Sequence, residues 1–162
     1  MPEPPAPAAP QPEATPRAEP VVPPAPAPQS ERLFRVFTAH DQRPPFSFSL
    51  GLAPAGLPEL IVFGLREPIA QSLLNQVARD LVGGKQFEAG LRYEDYLVGY
   101  PVSFRNVSSS GDYAQYAYIG AATARVPLPA LGTFAVLQII WSDHSRRFPG
   151  EPGYDGEPQP LL

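Results

Sequence analysis

Proline placement limits this chain more than any other feature. Of the 24 prolines in 162 residues, 12 stand at or before Pro28, interleaved with alanine in MPEPPAPAAPQPEATPRAEPVVPPAPAPQS. Proline offers no backbone donor, and the stretch has few large apolar side chains to offset the entropy of ordering. Residues 1–30 are therefore expected to be a disordered, polyproline-II-biased tail, and residues 31–162 a single domain. At about 3.1 Å per residue the tail would reach on the order of 90 Å, which makes it a spacer.

The formal net charge is −4, of which Glu3, Glu13, Glu19 and Arg17 put −2 in the tail and leave −2 for the rest. A body without clustered Lys and Arg exerts no general pull on a phosphate backbone, so no nucleic-acid partner is expected. The chain has no cysteine, which excludes disulfides, thiolate nucleophiles and zinc–cysteine sites. No basic segment precedes an apolar one at the N-terminus, and no apolar run approaches the roughly 18 residues of a membrane span. The expectation is a cytoplasmic protein with no membrane partner.

In the body, LFRVFT (33–38) has the β-branched and aromatic residues of a first strand, ended by the prolines of HDQRPP. FSFSLGL alternates, with Phe46, Phe48, Leu50 and Leu52 on one side and Ser47, Ser49 and Gly51 on the other, which predicts a half-buried strand. ELIVFGL (59–65) is continuously apolar after Glu59 and predicts a strand covered on both faces. Glu67 and Pro68 open a helix, Ile69, Leu73, Leu74, Val77 and Leu81 recur at its spacing, and Gly83-Gly84 stops it. YEDYLVGYPVSFRNV predicts one or two strands broken near Gly99, and SSSGD a loop. DYAQYAYIGAA reads as a short helix, although its tyrosines also suit a strand, and TFAVLQIIW (133–141) as the most buried strand. One firm crossover helix among short connections predicts an α+β domain: a largely antiparallel sheet with one or two helices.

PPFSFSLGL, GLPELIVFGL, LLNQVARDLVGGKQFEAG and LQIIWSDHSRRFP with a closing QPLL stand in an order and spacing that carry a resemblance. From about Pro44 to Leu162 the chain resembles the uncharacterised bacterial family catalogued as domain of unknown function 4262. The resemblance implies a small domain and no catalytic residues to carry over. The family pattern resembles G-H-P-E-L where this chain has Leu57 in place of the histidine. It also resembles W-P-D followed by F-P-W, where this chain has Ser142 for the proline and Gly150 for the second tryptophan. An activity that depended on that histidine or tryptophan would be missing here.

The two histidines, His40 and His144, each adjoin an aspartate, in His40-Asp41 before FSFSLGL and Asp143-His144 after TFAVLQIIW. If those two strands were antiparallel neighbours, both pairs would share a sheet edge. His40, His144 and Asp143 could then hold a divalent metal such as zinc or iron. Without a motif spacing, exposed loop histidines are the plainer reading, and the expectation is no metal and no cofactor. Asp143-His144-Ser145 contains the residue types of a hydrolase triad, but adjacent residues do not point at one another as a triad requires, and no G-x-S-x-G elbow occurs. GGKQ has Arg79 where a phosphate loop needs its first glycine and Gln86 where it needs a hydroxyl, so it is a helix stop. Arg146 and Arg147 could grip a carboxylate or phosphate, against a solvated edge with one of them paired to Asp143, Glu151 or Asp155.

Tyr93, Tyr96, Tyr100, Tyr113, Tyr116 and Tyr118 could line a pocket or serve as core edge and sheet surface. Asn106-Val107-Ser108 fits a glycosylation pattern that has no meaning without secretion. Glu59, Glu94 and Asp95 become candidate acids only if burial shifts them. The C-terminal WSDHSRRFPGEPGYDGEPQPLL carries Phe148, Tyr154, Leu161 and Leu162 on a chain stiffened by Pro149, Pro152, Pro158 and Pro160. That pattern predicts a clamp lying across the sheet. The function expected is a non-catalytic binding or regulatory module for an unidentified protein or small molecule. The alternative is a small metal-assisted hydrolase using the His40 and His144 edge.

Overall fold

The computed structural model describes residues 2, 4, 5, 33–107, 112–125 and 134–162. Nearly all of the expected tail, the loop at 108–111 and Thr133 lie outside these residues. The described elements run β1 (Arg35–Ala39), β2 (Phe46–Leu50), β3 (Glu59–Phe63), α1 (Glu67–Val82), β4 (Arg92–Tyr93), β5 (Val102–Val107), α2 (Asp112–Ala124) and β6 (Val136–Trp141). They form the α+β architecture that the short connections predict.

Six strands make one sheet in the order β1-β2-β3-β6-β5-β4. Neighbours are antiparallel except β3 and β6, which run parallel with Val62 opposite Ile139. Everything between β3 and β6 in sequence is a crossover, and α1 opens it. Pro68 at the first turn removes a donor that would have no helical partner, and Glu67 favours the positive end of the helix. Ala70, Leu73, Leu74, Val77, Ala78 and Leu81 follow at i, i+3, i+4, i+7, i+8 and i+11, and all are buried. They pack with Leu60, Val62, Leu137, Ile139, Val102 and Phe104 into one core cluster. At the far end Gly83 keeps a right-handed conformation (φ −73°), and Gly84 (φ +93°) is the residue that turns left-handed.

The sheet's other face packs under α2. Phe46, Phe48, Ile61, Phe63 and Tyr113 form its buried centre, with Tyr116 edge-on to both Phe46 and Phe63. Gly120 of α2 lies directly on Phe48: a Cβ there would stand 2.9 to 3.1 Å from the ring. DYAQYAYIGAA is thus helical, with Tyr113 and Tyr116 on the contact surface of a helix rather than in strand pairs and Tyr118 exposed.

Helices on both faces overturn the half-buried reading of FSFSLGL. Ser47 and Ser49 are as buried as the phenylalanines beside them. Their hydroxyls are satisfied within the core, Ser47 with Thr38 at 2.7 Å and Ser49 by donating to Glu59 at 2.6 Å while accepting the Leu60 N–H at 2.8 Å. Glu59 takes the Gly51 and Ala53 N–H groups as well, at 2.8 and 3.0 Å, and so ties the start of β3 to the chain leaving β2. The YEDYLVGYPVSFRNV segment resolves into the two-residue β4, a series of turns, and β5. Among the described residues no helix is long and apolar enough to cross a membrane.

Candidate functional site

After Trp141 the chain has no regular secondary structure, yet it is fastened to the sheet along its length. Asp143 is the first anchor. Its carboxylate accepts the N–H groups of Ser145 and Arg147 on Oδ1 and of Asp155 on Oδ2, at 2.8 to 2.9 Å. Burial pushes this carboxyl up, but the three backbone donors, helped by the charge of His144, outweigh it and hold the group below its ordinary value. Phe148 is buried under the guanidinium of Arg92, 5.0 Å from the ring centre.

Further along, Gln159 donates to the Trp141 carbonyl at 2.8 Å and accepts its N–H at 3.0 Å. Gln138 donates to the Pro160 carbonyl at 2.5 Å and accepts the Leu162 N–H at 3.0 Å. Two glutamine amides thus replace a strand ladder, and the segment is the strap its apolar punctuation predicts. The anchors differ in part. Phe148 is buried and Tyr154 and Leu162 are half-buried, but Leu161 is exposed, and polar Gln159 carries the load expected of it.

The structure does not bring the two histidine pairs together. β2 and β6 are not neighbours, because β3 lies between them, and His40 follows β1 one strand further out. Three strand steps, about 14 Å at the usual spacing, separate the end of β1 from the end of β6. His40 instead meets Glu67 at 3.1 Å on an exposed surface beside Asp41, and His144 is exposed. The Asp143 carboxylate is occupied by backbone donors. Among the described residues no group of three or more His, Asp or Glu side chains is placed to hold a metal. The arginines find partners, though not the ones the sequence suggests: Arg146 pairs with Glu94, and Arg147 donates to the Gly153 carbonyl at 2.6 Å.

A cleft of about 770 Å³ opens elsewhere, at the C-terminal ends of the parallel strands β3 and β6. That is where a sheet with this connectivity leaves a crevice, since the chain leaves one strand for a helix and the other for the strap. One wall is Gly64, Leu65, Arg66 and the first turns of α1 with Ile69 and Ser72; the other is the turn carrying Tyr96, Leu97, Val98 and Tyr100. Trp141 and Glu157 close it. Gly64 (φ +76°) is needed for this, because a Cβ there would stand 3.3 Å from both Glu157 Cβ and the Pro158 carbonyl where the strap crosses.

The aromatic walls are held rigidly. The Trp141 indole donates to the Phe63 carbonyl at 2.9 Å and meets Tyr100 edge-on, ring centres 6.2 Å apart. The Tyr96 hydroxyl donates to Asp80 at 2.5 Å and accepts from Lys85 at 2.7 Å. Burial first, and then the bond to Asp80, push this phenol up to about 12. Lys85, the chain's one lysine, sits 4.9 Å from the Tyr96 ring and 5.3 Å from that of Phe87, bracing the turn from below.

Residues 31–155 match the family described as Domain of unknown function (DUF4262). The chain belongs to this family. Comparison with curated proteins and with solved structures returns no match. In this DUF4262 domain Leu57, which replaces the histidine of the family-like pattern, packs against the α1-side core, and Gly150 takes a positive φ of 89°. Neither position lines the cleft. Of the site residues named from sequence, only Tyr96 and Tyr100 do. Arg66, Ser72, Leu97 and Glu157 went unnoticed because they come from separate segments that only the β3–β6 pairing and the strap bring together.

Proposed function

We propose that this DUF4262 domain is a non-catalytic binding module, acting in the cytoplasm, which takes a small, largely apolar molecule between α1 and the Tyr96–Tyr100 turn. One observation carries this reading: the cleft has the size of small-molecule sites, and its walls are aromatic side chains already fixed by internal hydrogen bonds. Preformed walls lower the ordering cost of binding. The same bonds argue for binding over catalysis. Tyr96 is committed to Asp80 and Lys85, and its pKa is raised further above pH 7, so it is poorly placed to shuttle protons there.

Trp141 is the only tryptophan in the chain and stands in the cleft wall, so its fluorescence reports on the site directly. A ligand-observed NMR screen of small aromatic and aliphatic fragments should give binders that also shift Trp141 emission. Ser72→Trp, an exposed position on α1 that lines the cleft, should abolish them without changing the fold. Binders that keep their affinity in that variant would place the site elsewhere.

A further inference from the structure

Two side chains in the cleft carry charge and have no partner among the described residues. Arg66, the N-cap residue of α1, is exposed, and so is Glu157 on the strap. Neither forms an ion pair or side-chain hydrogen bond with any described residue. Several other charged side chains do find partners, Glu67 with Gln71 and His40, Arg146 with Glu94 and Arg92 with Glu151. The two free charges are opposite in sign and line one cleft, where Glu157 Cβ and the Pro158 carbonyl lie against Gly64, two residues before Arg66. They do not, however, reach each other within ion-pair distance. They share the cleft with Trp141, Tyr100, Leu65, Leu97 and Ile69.

A cleft with an apolar aromatic floor, a free guanidinium and a free carboxylate is complementary to a molecule with the converse distribution. Resting on the reading of this cleft as a ligand site, we infer that its ligand is a small zwitterion with a flat apolar body, the chemical class of aromatic α-amino acids. The ligand's carboxylate faces Arg66, whose planar fork suits bidentate pairing, and its ammonium faces Glu157. The ring lies against Trp141 and Tyr100, where edge-to-face and offset contacts are open to it. A purely anionic ligand would leave Glu157 facing it uncompensated, and a purely cationic one would do the same to Arg66.

Four probes separate these cases by Trp141 fluorescence titration of the full chain: L-phenylalanine (both charges), phenethylamine (cation), 3-phenylpropionate (anion) and 3-phenyl-1-propanol (neutral). None has indole absorbance. L-Phenylalanine should bind tightest, with each singly charged analogue about fivefold weaker, the scale of one partly exposed ion pair. Arg66→Ala should make L-phenylalanine and phenethylamine bind alike. Glu157→Gln should do so for L-phenylalanine and 3-phenylpropionate. Both positions are exposed, and an unchanged melting temperature confirms that each variant folds. Equal or tighter binding of a singly charged or neutral probe would overturn the charge-pair inference while leaving the cleft as a ligand site. Silence from all four would overturn it too, and would remove the cleft reading only if no fragment sensitive to Ser72→Trp exists.

Discussion

The side-chain amide of Gln159 closes on both backbone polar groups of Trp141, donating to the carbonyl and accepting the N–H. A second bond from Gln159 reaches the Tyr154 hydroxyl at 2.8 Å. Replacing Gln159 by alanine leaves the Trp141 N–H and C=O without these partners in a half-buried setting. The expected cost is about 1–3 kcal/mol, the penalty of stranded polar groups. Urea denaturation should show a lower midpoint at unchanged m-value, and loss of rigidity at Trp141 should shift its emission to the red. A variant as stable as the parent would mean that water replaces the amide freely.

The whole strap should matter more than any one of its bonds. Ending the chain after Arg147 deletes Phe148, the Asp155 donor, Gln159 and the Leu162 contact with the α2-side core. We expect a loss above about 3 kcal/mol, roughly 10 °C in Tm for a domain of this size, or outright unfolding. Deleting residues 1–30, whose composition offers little to bury, should leave Tm unchanged. Two calorimetric scans decide the matter. Equal Tm values for the parent and the chain ending at Arg147 would contradict the clamp, and a large drop on deleting residues 1–30 would contradict the spacer.

Legibility in this sequence follows locality. α1 could be read from its 3.6-residue period, and β3 and β6 from unbroken apolar runs, because those signals are local. The parallel pairing of β3 with β6 is not local, and it is what places His40 and His144 at one end of the sheet yet three strands apart. Burial of Ser47 and Ser49 was hidden for a related reason: their partners Thr38 and Glu59 come from neighbouring strands, so a polar face looked solvated. Gln138 stands inside an apolar run and Gln159 between two prolines, and no local signal pairs either amide with a distant backbone. The cleft draws on four separated segments, and no window of sequence contains it.

The core offers two tests of opposite kind. Leu74 on α1 is fully buried, and Leu74→Ala should cost about 2–5 kcal/mol through lost burial and a residual cavity. Gly120→Ala on α2 improves helix propensity by about 1 kcal/mol in isolation. The new methyl would meet the Phe48 ring at about 3 Å, however, and that overpacking should cost about 1–3 kcal/mol, so the net change is a destabilisation or none. A clear gain in Tm for Gly120→Ala would show that α2 does not sit on Phe48 as closely as described.

Asp143 should give the domain a specific acid sensitivity. Its carboxyl is buried, which raises its pKa, but the N–H groups of Arg147, Asp155 and Ser145 favour the charged form more strongly and bring it below the ordinary value. A carboxyl depressed in the folded state contributes stability that is present above its unfolded pKa, about 3.9, and is lost as pH falls through the folded value. Protonation turns one acceptor oxygen into a donor facing backbone N–H groups and so loosens the turn at Ser145–Arg147 and the docking of Asp155. Urea midpoints measured from pH 7 to pH 2.5 should therefore fall below about pH 4. Asp143→Asn, which has a single acceptor oxygen at every pH, should be less stable at pH 7 and decline less steeply below pH 4, so that the two curves converge in acid. Parallel curves across this range would show that other carboxylates, and not Asp143, govern acid unfolding.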